Sequence, residues 1–374
     1  MPVRLISTPR RDQRTGHARR AGALTLRAAL LSAVAGVGVI CVWSLIAVVG
    51  AAMMAGLVSL SGSQAQAAST PSVQRVSSCG TMLCSGGLPF VLHMGSINGE
   101  SDPADATRRA TALGLNILRL TDFLDKDASI TTGPWDESRW AAVDRLIVGA
   151  RKAGLHVELD LSTYRNTLLV SGLNPYTYDW SPFLTFVANR RNTVSGVLYK
   201  SDSTIALVAI AGEVEPINSG SNTFKVTTSQ LTSFYSGVLS TWATLAPQRL
   251  VTSGGLLQLD WNSGIDWKAI MALPHNDVPA IHVYSDGDRR QTVPAVAAYT
   301  ASIGRPWIIE EFGFEANLGD ATRAMNFDAM YALNRQYHSA GAGLWNVGPE
   351  TTTTYDVGPQ FPLVSTAVLA SRPK

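Results

Sequence analysis

Beyond residue 87 the chain alternates between short apolar runs and longer stretches in which apolar residues recur at helical spacing. An apolar run of about four to eight residues, bounded by polar residues or glycine, indicates a buried strand. Eight such runs predict strands over 90–94, 116–121, 156–161, 206–211, 250–253, 280–284, 307–310 and 343–347. Most of these runs are separated from the next by a stretch that predicts a helix.

The clearest of the predicted helices covers 137–153. Its apolar positions share one face of a helix: Trp140, Val143, Leu146, Ile147 and Ala150. Further helices are predicted over 102–113, 181–190, 229–245, 293–303 and 322–340, and glycines at 114, 154, 304 and 341 stand where such helices should end. Eight strands with intervening helices predict an α/β fold of the (β/α)8, or TIM barrel, type. An open doubly wound sheet would normally carry a glycine-rich phosphate loop after its first strand, and GSING at 95–99 is not one.

The N-terminal part of the chain follows a different pattern. Residues 1–27 hold seven Arg and one Asp, and residues 28–67 hold no charged residue. A helix of about 20 apolar residues crosses a bilayer, and an arginine-rich flank stays in the cytoplasm. The run Ala65-Gln66-Ala67 resembles a signal-peptide cleavage site. The fold is therefore expected to be preceded by a hydrophobic helix that is either a cleaved signal peptide or a retained membrane anchor.

These patterns divide the chain into four parts: a basic cytoplasmic leader (1–27), a signal peptide or transmembrane helix (28–60), a linker rich in small and polar residues (61–87) and a barrel (88–374). The barrel is expected outside the cell, either secreted or membrane-anchored. Residues 28–374 hold 23 basic and 27 acidic residues, a net charge of −4. A mildly acidic body offers no basic face for nucleic acid, so that class of partner is excluded.

The cysteines agree with export. Cys79 and Cys84 are separated by four residues and can close a small disulfide loop in an oxidising compartment. Two free thiols or a locally strained loop are the alternatives. No Cys/His spacing in the chain is typical of a zinc site.

Candidate chemistry lies at the strand ends, because functional residues of a barrel stand at the C-terminal ends of its strands. Glu213 and Glu215 follow the fourth predicted strand, and Glu310 and Glu311 end the seventh. Cleavage of a glycosidic bond needs two carboxyl groups, one to protonate the departing oxygen and one to attack the anomeric carbon. Successive strand residues face opposite ways, so Glu310 is expected to pair with a base outside the barrel. Other strand ends carry Arg119, His282, Tyr284 and Trp345.

At these residues the chain resembles glycoside hydrolase family 5 of clan A, especially its endo-β-mannanase-like and cellulase-like members. YKSDSTIALVAIAGEV (199–214) is similar to the family's fourth-strand segment, which reads Tyr-Lys-Asp-Asp-Pro-Thr-Ile and closes on Asn-Glu-Pro. This gapless match places the acid/base on Glu213. RPWIIEEFGF (305–314) is similar to the seventh-strand segment, in which the glutamate directly before Phe-Gly is the nucleophile. That position is Glu311.

The resemblance spans residues 88–350. GLNILRLTDFLD (114–125) resembles the second strand and places Arg119 on the arginine that holds the nucleophile ionised. His282 and Tyr284 match the sixth-strand His-x-Tyr pair, and Trp345 matches the tryptophan that floors the subsite around the cleaved bond. The implied reaction is a retaining double displacement without metal or organic cofactor. In it, nearby negative charge is expected to favour the proton on Glu213.

The chain departs from the family on either side of the acid/base. The usual Asn is Gly212, and the usual Pro is Val214. The resemblance implies that this Asn donates to the 2-hydroxyl of the sugar, a contact whose loss would cost about 10²–10³ in rate. A neighbouring group replaces it, or the enzyme is slow, or its substrate differs. A reading shifted to Glu215 restores Pro but not Asn, and it breaks the gapless match.

Several residues keep two interpretations. His93 either lines the cleft or belongs to the core, and Tyr164 and Asn166 have the potential to line a subsite. Three tryptophans are expected to pack in the body of the protein, with the lining of a glycan subsite as the alternative: Trp135, Trp180 and Trp261.

The sequence thus predicts an exported retaining glycoside hydrolase that cleaves β-linked polysaccharide or oligosaccharide of the mannan or glucan class. Its partners are a β-glycan and, if the leader is retained, the membrane. The same chemistry on cellulose or on a small glycoside is one alternative. A catalytically weak or silent, membrane-tethered glycan-binding barrel is another, and an anchored structural or interaction protein is the third.

Overall fold

The computed structural model describes residues 73–374 except 100, 126, 216, 219–221, 258, 260–262 and 349–353. The predicted leader (1–27), the apolar segment (28–60) and residues 61–72 of the predicted linker lie outside the described residues, as does Trp261. Within the described part of the chain, no helix combines the length and the apolar character needed to span a bilayer.

The strands are β1 (Val76–Cys79), β2 (Met82–Ser85), β3 (Leu88–Phe90), β4 (Leu92–Asn98), β5 (Ile117–Thr121), β6 (His156–Asp160), β7 (Ile205–Ala209), β8 (Leu250–Thr252), β9 (Ala280–Val283), β10 (Ile308–Phe312) and β11 (Gly341–Leu344). The α-helices are α1 (Pro103–Ala112), α2 (Glu137–Lys152), α3 (Thr163–Val170), α4 (Ser181–Asn189), α5 (Thr228–Leu245), α6 (Trp267–Met271), α7 (Val293–Ser302), α8 (Asp320–Gln336) and α9 (Pro362–Ala370). Each predicted strand overlaps one of β4–β11. The helices α3, α6 and α9 are short and go beyond the prediction.

Strands β4–β11 form one parallel sheet in the order β8-β7-β6-β5-β4-β11-β10-β9. The two edge strands meet through Leu256, which follows β8. The Leu256 amide donates to Ala280 O at 3.0 Å, and the His282 amide donates to Leu256 O at 2.9 Å. The sheet therefore closes on itself as an eight-stranded barrel surrounded by helices, which confirms the predicted (β/α)8 fold.

The main core lies between the barrel and its helices. On α2 the predicted apolar face is buried, from Trp140 to Ala150. Trp180 is buried, and Trp135 packs edge-on against Phe183 with ring centroids 6.0 Å apart. Both tryptophans are therefore packing residues, as predicted. Burying side chains of this size contributes about 1.5–3 kcal/mol each.

His93 belongs to the core and not to the cleft. Its ring is buried against Tyr331, and Nε2 donates to Val368 O at 3.0 Å. Burial lowers its pKa to about 4, so the ring is neutral. Tyr164 is also a core residue, stacked on Phe183 at 4.0 Å.

The antiparallel sheet β1–β3 covers the N-terminal end of the barrel. Its buried residues Val76 and Leu83 pack with the first residues of the barrel strands, among them Leu92 and Ile308. The predicted linker (61–87) therefore ends earlier than expected, because β1 and β2 fall inside it. These strands are short, and Ser and Cys make up five of their eight residues, so their pattern is not apolar enough to predict a strand. Cys79 and Cys84 form a disulfide within this hairpin.

Candidate active site

The C-terminal ends of the barrel strands open into a cavity of about 220 Å³. Its walls include most of the residues that the sequence singles out: Arg119, Gly212, Glu213, His282, Glu311 and Trp345. Tyr284 reaches the same place through its hydroxyl. Asn166 also lines the cavity. The structure therefore brings the predicted site residues together at one end of the barrel.

Glu311 stands near the end of β10 with a side chain that is only 9% exposed. Arg119 Nη1 donates to its Oε2 at 2.6 Å, and the Tyr284 hydroxyl donates to its Oε1 at 2.5 Å. Burial, together with the charge of Glu311, raises the pKa of Tyr284, so the phenol keeps its proton and remains a donor. Each oxygen of the Glu311 carboxylate thus accepts a hydrogen bond from a fixed group.

Glu213 follows β7 on a backbone with a φ of 52°, in the left-handed region. Its amide donates to Gly255 O at 2.9 Å, which ties this turn to the loop after β8. Its side chain is 44% exposed, and Oε1 accepts from His282 Nδ1 at 2.8 Å. An oxygen of Glu213 and an oxygen of Glu311 lie within 4.8 Å of each other. The two carboxylates therefore face one small volume.

His282 is 1% exposed and connects two carboxylates. Nδ1 contacts Glu213, and Nε2 contacts Glu310 Oε2 at 2.9 Å. Burial acts to lower the pKa of His282, but the charges of Glu311, Glu213 and Glu310 outweigh it and raise the pKa to about 10. At neutral pH the ring is an imidazolium that donates from both nitrogens. This donation lowers the pKa of Glu213. The expectation that neighbouring negative charge favours the proton on Glu213 is therefore wrong for the free protein.

Glu310 is inside the barrel, and the expectation of a partner outside it is wrong. Its side chain is fully buried, and Oε2 accepts from the Gly255 amide at 2.7 Å as well as from His282. The cause is an irregularity in β10, whose register shifts against β9 between Ile309 and Glu311 and also against β11. Such a register shift breaks the strict alternation of faces, so two adjacent glutamates turn inward. Although burial raises the pKa of Glu310, Arg119 and His282 lower it to about 2.

Two further buried carboxyl groups lie on β6 and were missed by the sequence analysis. Arg119 lies close to both, with Nη2 at 2.7 Å from Asp160 and Nε at 3.3 Å from Glu158. Burial and the neighbouring charge of Glu310 raise the pKa of Glu158 well above its ordinary value. The sequence holds a signal for them: polar and apolar residues alternate along β6, so His156, Glu158 and Asp160 share one face of the strand.

Gly212 lies in a crowded corner between α3 and the loop after β8. Its amide donates to Ser162 Oγ at 2.7 Å, and its carbonyl accepts from the guanidinium of Arg165. A Cβ at this position would lie 3.3 Å from the Gly255 amide nitrogen and 3.4 Å from Ser162 Oγ. The position therefore tolerates a side chain only with small shifts. Arg165 and Ser162, which the sequence analysis also missed, are the polar groups nearest to it.

The loop after β8 needs its two glycines. Gly254 has a φ of 85°, and a Cβ there would lie 2.4 Å from the Gly212 nitrogen. A Cβ on Gly255 would lie 1.9 Å from the His282 ring. Both positions must lack a side chain so that the backbone can pass beside the site.

Glu215 lines a different cavity, of about 400 Å³, together with Tyr176 and Phe224. Val214 is buried, and Pro216 lies outside the described residues. The gapless register, with Glu213 as the site residue, agrees with this placement better than the shifted one.

Glu213, His282 and Glu311 offer ligand atoms within 4.8 Å of one another, which is close enough for a divalent cation. A metal would need the lone pair of His282 Nδ1. That nitrogen donates to Glu213, so a metal would have to displace its proton and binding would weaken as the pH falls.

No protein-family model matches the chain, and no curated protein matches its sequence. Its fold is similar to solved structures. An endo-1,4-β-mannanase from Rhizomucor miehei superposes with a TM-score of 0.66 at 20% identity, over 79% of this chain and 99% of that one. A glycoside hydrolase family 5 mannosidase from the same organism gives 0.58 at 14% identity, over 80% and 96%. The catalytic domain of a Thermobifida fusca endoglucanase gives 0.54 at 19%, over 79% and 97%. The chain thus has the barrel fold of mannanase- and cellulase-like glycoside hydrolases.

Proposed function

We propose that the protein is an exported, retaining glycoside hydrolase of family 5 type that cleaves β-linked mannan or glucan by double displacement. One observation carries the proposal: oxygens of Glu213 and Glu311 lie within 4.8 Å across a cavity at the C-terminal end of the barrel. Retaining enzymes hold their two carboxyl groups about 5–5.5 Å apart, whereas inverting enzymes leave about 6.5–9.5 Å for a water. The short separation supports retention.

In the first step Glu311 attacks the anomeric carbon. Arg119 and Tyr284 each hold one of its oxygens, at 2.6 and 2.5 Å. These contacts fix the orientation of the carboxylate, which is what a nucleophile needs before it forms a bond. As negative charge leaves Glu311 for the new bond, the two donors remain beside the ester.

Glu213 protonates the departing glycosidic oxygen and later activates a water that releases the sugar. Its side chain is partly exposed to the cavity, so it can reach both the bond and the water. The aromatic face of Trp345, on the cavity wall, offers a surface against which a sugar ring packs. No metal or organic cofactor takes part in these steps.

The substrate class rests on the similar structures. Two of them are named as an endo-1,4-β-mannanase and a mannosidase, and the third is an endoglucanase solved with cellotetraose. All three names refer to glycans, and each of these structures superposes on this chain over nearly its whole length. A β-linked mannan or glucan is therefore the class to test first.

Export is proposed from the N-terminal pattern of an arginine-rich leader followed by an uncharged apolar run. The Cys79–Cys84 disulfide agrees with an oxidising compartment. Fractionation of expressing cells, with N-terminal sequencing of the mature protein, separates a cleaved from a retained leader. Protein found only in the cytoplasm would contradict this part of the proposal.

A silent glycan-binding barrel is the second candidate function. Two observations favour it: Gly212 has no side chain to contact the sugar, and the lowered pKa of Glu213 leaves the acid/base ionised in the free protein. Such a protein would bind β-glycan without releasing reducing sugar.

The test is to incubate the purified full-length chain with β-mannan, β-glucan and aryl β-glycosides and to measure reducing ends. The wild type should release sugar, and ¹H NMR of the first product should show the β anomer. Glu311→Ala should lose hydrolysis while keeping its circular dichroism spectrum. Azide added to this variant should restore cleavage and give an α-glycosyl azide, because the small anion attacks from the vacated side. Unchanged turnover in Glu311→Ala would refute the assignment of the nucleophile.

A further inference from the structure

The proposed acid step needs a proton on Glu213. In the free protein that proton is on the nitrogen of His282 that donates a hydrogen bond to Glu213. Glu213 Oε1 accepts a hydrogen bond from His282 Nδ1 at 2.8 Å. The carboxylate and the imidazolium together hold the two protons that a neutral carboxylic acid and a neutral imidazole would also hold. Moving one proton along this hydrogen bond therefore converts the resting pair into the acid that catalysis requires, with no change in net charge.

The contact on the opposite side of the His282 ring supports this proton transfer. Nε2 donates to Glu310 Oε2 at 2.9 Å, and the same oxygen accepts from the Gly255 amide at 2.7 Å. Glu310 is fully buried and cannot exchange its partners for water. When His282 loses its Nδ1 proton, the hydrogen bond to Glu310 keeps the remaining proton on Nε2, which fixes the tautomer. The vacated lone pair then faces Glu213.

We propose that Glu310 and His282 form a carboxylate–histidine pair that stores the proton of the acid/base Glu213 and delivers it when a sugar covers that carboxylate. The inference rests on the proposed function. The Nδ1–H bond of His282 breaks and an O–H bond forms on Glu213. That proton then passes to the glycosidic oxygen as the bond from this oxygen to the anomeric carbon breaks. In the second step the attacking water gives a proton to Glu213, and product release returns it to Nδ1.

Substrate binding supplies the trigger. The Glu213 side chain is 44% exposed in the free protein, so water stabilises its charge. A sugar placed over it removes that water, and loss of solvent disfavours charged forms. The imidazolium–carboxylate pair then shifts toward its neutral form, in which Glu213 is an acid. Glu310 is a positioning residue in this scheme, because it acts through His282 and does not touch the substrate.

The other charged groups around His282 are consistent with this role. Glu213 faces it from the loop after β7, and Glu310 and Glu311 face it from β10, with Glu311 Oε1 at 3.8 Å from Nδ1. Arg119 on β5 and Arg165 on α3 act on the same carboxylates, and Tyr284 after β9 donates to Glu311. Arg119 also contacts Glu158 and Asp160 on β6. The carboxylates nearest to the ring outnumber the cations, so the protonated ring is the resting state.

The first test reads the histidine directly and does not depend on activity. In ¹⁵N-labelled full-length protein, the imidazole signals of His282 are assigned by their loss in His282→Asn. Both nitrogens should be protonated at pH 8, with a transition near pH 10. In Glu310→Gln the transition should fall by about one pH unit or more, because the variant removes a charge that contacts the ring. Glu310→Asp, which keeps the charge, should lie between the two.

The second test uses leaving groups. General acid catalysis contributes about 10²–10⁴-fold when the leaving group is poor and little when it is good. Glu310→Gln should slow cleavage of alkyl glycosides or mannan by about tenfold or more and change cleavage of dinitrophenyl glycosides by less than about twofold. Asp328→Asn, an exposed carboxylate on α8, is the matched control and should behave as wild type for both.

A neutral His282 in the wild type at pH 7 would overturn the proposal, as would a transition that is the same in wild type and Glu310→Gln. An equal loss of rate on both classes of glycoside would also overturn it, because a structural defect slows both. Wild-type protein that hydrolyses nothing would refute the proposed function, while the NMR titration would still decide whether the pair stores the proton.

Discussion

Replacing His282 with Asn should change the stability of the protein in a way that depends on pH. The imidazolium is buried, and its contacts with Glu213 and Glu310 raise its pKa from 6.5 to about 10. That difference corresponds to about 5 kcal/mol of folding free energy, at about 1.4 kcal/mol per pH unit. Because the folded state holds this proton more tightly than the unfolded chain, the contribution is complete below pH 6.5 and is lost as the pH rises through about 10.

The quantity to measure is the difference in unfolding free energy between wild type and His282→Asn, from urea titrations followed by tryptophan fluorescence between pH 5.5 and 10. The comparison removes the contributions of Glu158 and Asp160, whose raised pKa values also make the folded state less stable as the pH rises. The difference should be largest below about pH 6.5 and should fall by about 1.4 kcal/mol per pH unit above it. His275→Asn, at an exposed histidine, is the control. A difference that is constant over this range would refute the charged state assigned to His282.

Three further substitutions test other parts of the site. Tyr284→Phe removes the hydroxyl that donates to Glu311. It should lower kcat/KM by about 10–100-fold in steady-state kinetics, since a hydrogen bond to a charged group contributes about 1.5–3 kcal/mol. An unchanged kcat/KM would contradict the contact. Gly255→Ala places a Cβ 1.9 Å from the His282 ring and should destabilise the protein by about 1–3 kcal/mol in urea titrations, whereas an unaltered midpoint would contradict the crowding. Gly212→Asn has a Cβ that fits with small shifts, and it should raise kcat by about tenfold or more if the site lacks a donor to the 2-hydroxyl of the sugar. A folded variant with the wild-type rate would show that Arg165 or another neighbour already supplies this donor.

The barrel could be predicted because its strands are buried on both faces and therefore read as continuous apolar runs. Even β8, with only three residues, follows this pattern. The hairpin β1–β2 could not be predicted in this way, because its strands are partly exposed and only three of their eight residues are large and apolar. Three of the four glycines that were predicted to end helices do so. Gly114, Gly154 and Gly304 have positive φ, whereas Gly341 already belongs to β11.

The site also has parts that the sequence predicted and parts that it could not predict. Strand ends and motifs indicated Arg119, His282 and Trp345, which the structure brings to one cavity. The proton state of Glu213 could not be read from the motif, because it depends on which atoms of His282 face it. The place of Glu310 depends on a register shift in β10 that leaves no mark in the local sequence. A rule of alternating faces holds only while the strand is regular.

That register shift separates the roles of two chemically identical neighbours. Glu311 receives donors from Arg119 and Tyr284 and faces the cavity, whereas Glu310 receives a backbone amide and His282 and lies behind it. A regular strand would have turned one of them away from the barrel and removed one of the three carboxylates around His282. With one carboxylate fewer, burial would lower the pKa of the ring with less to oppose it. The register shift is therefore the feature that lets one strand supply both a fixed carboxylate in the cavity and the charge that keeps a proton beside Glu213.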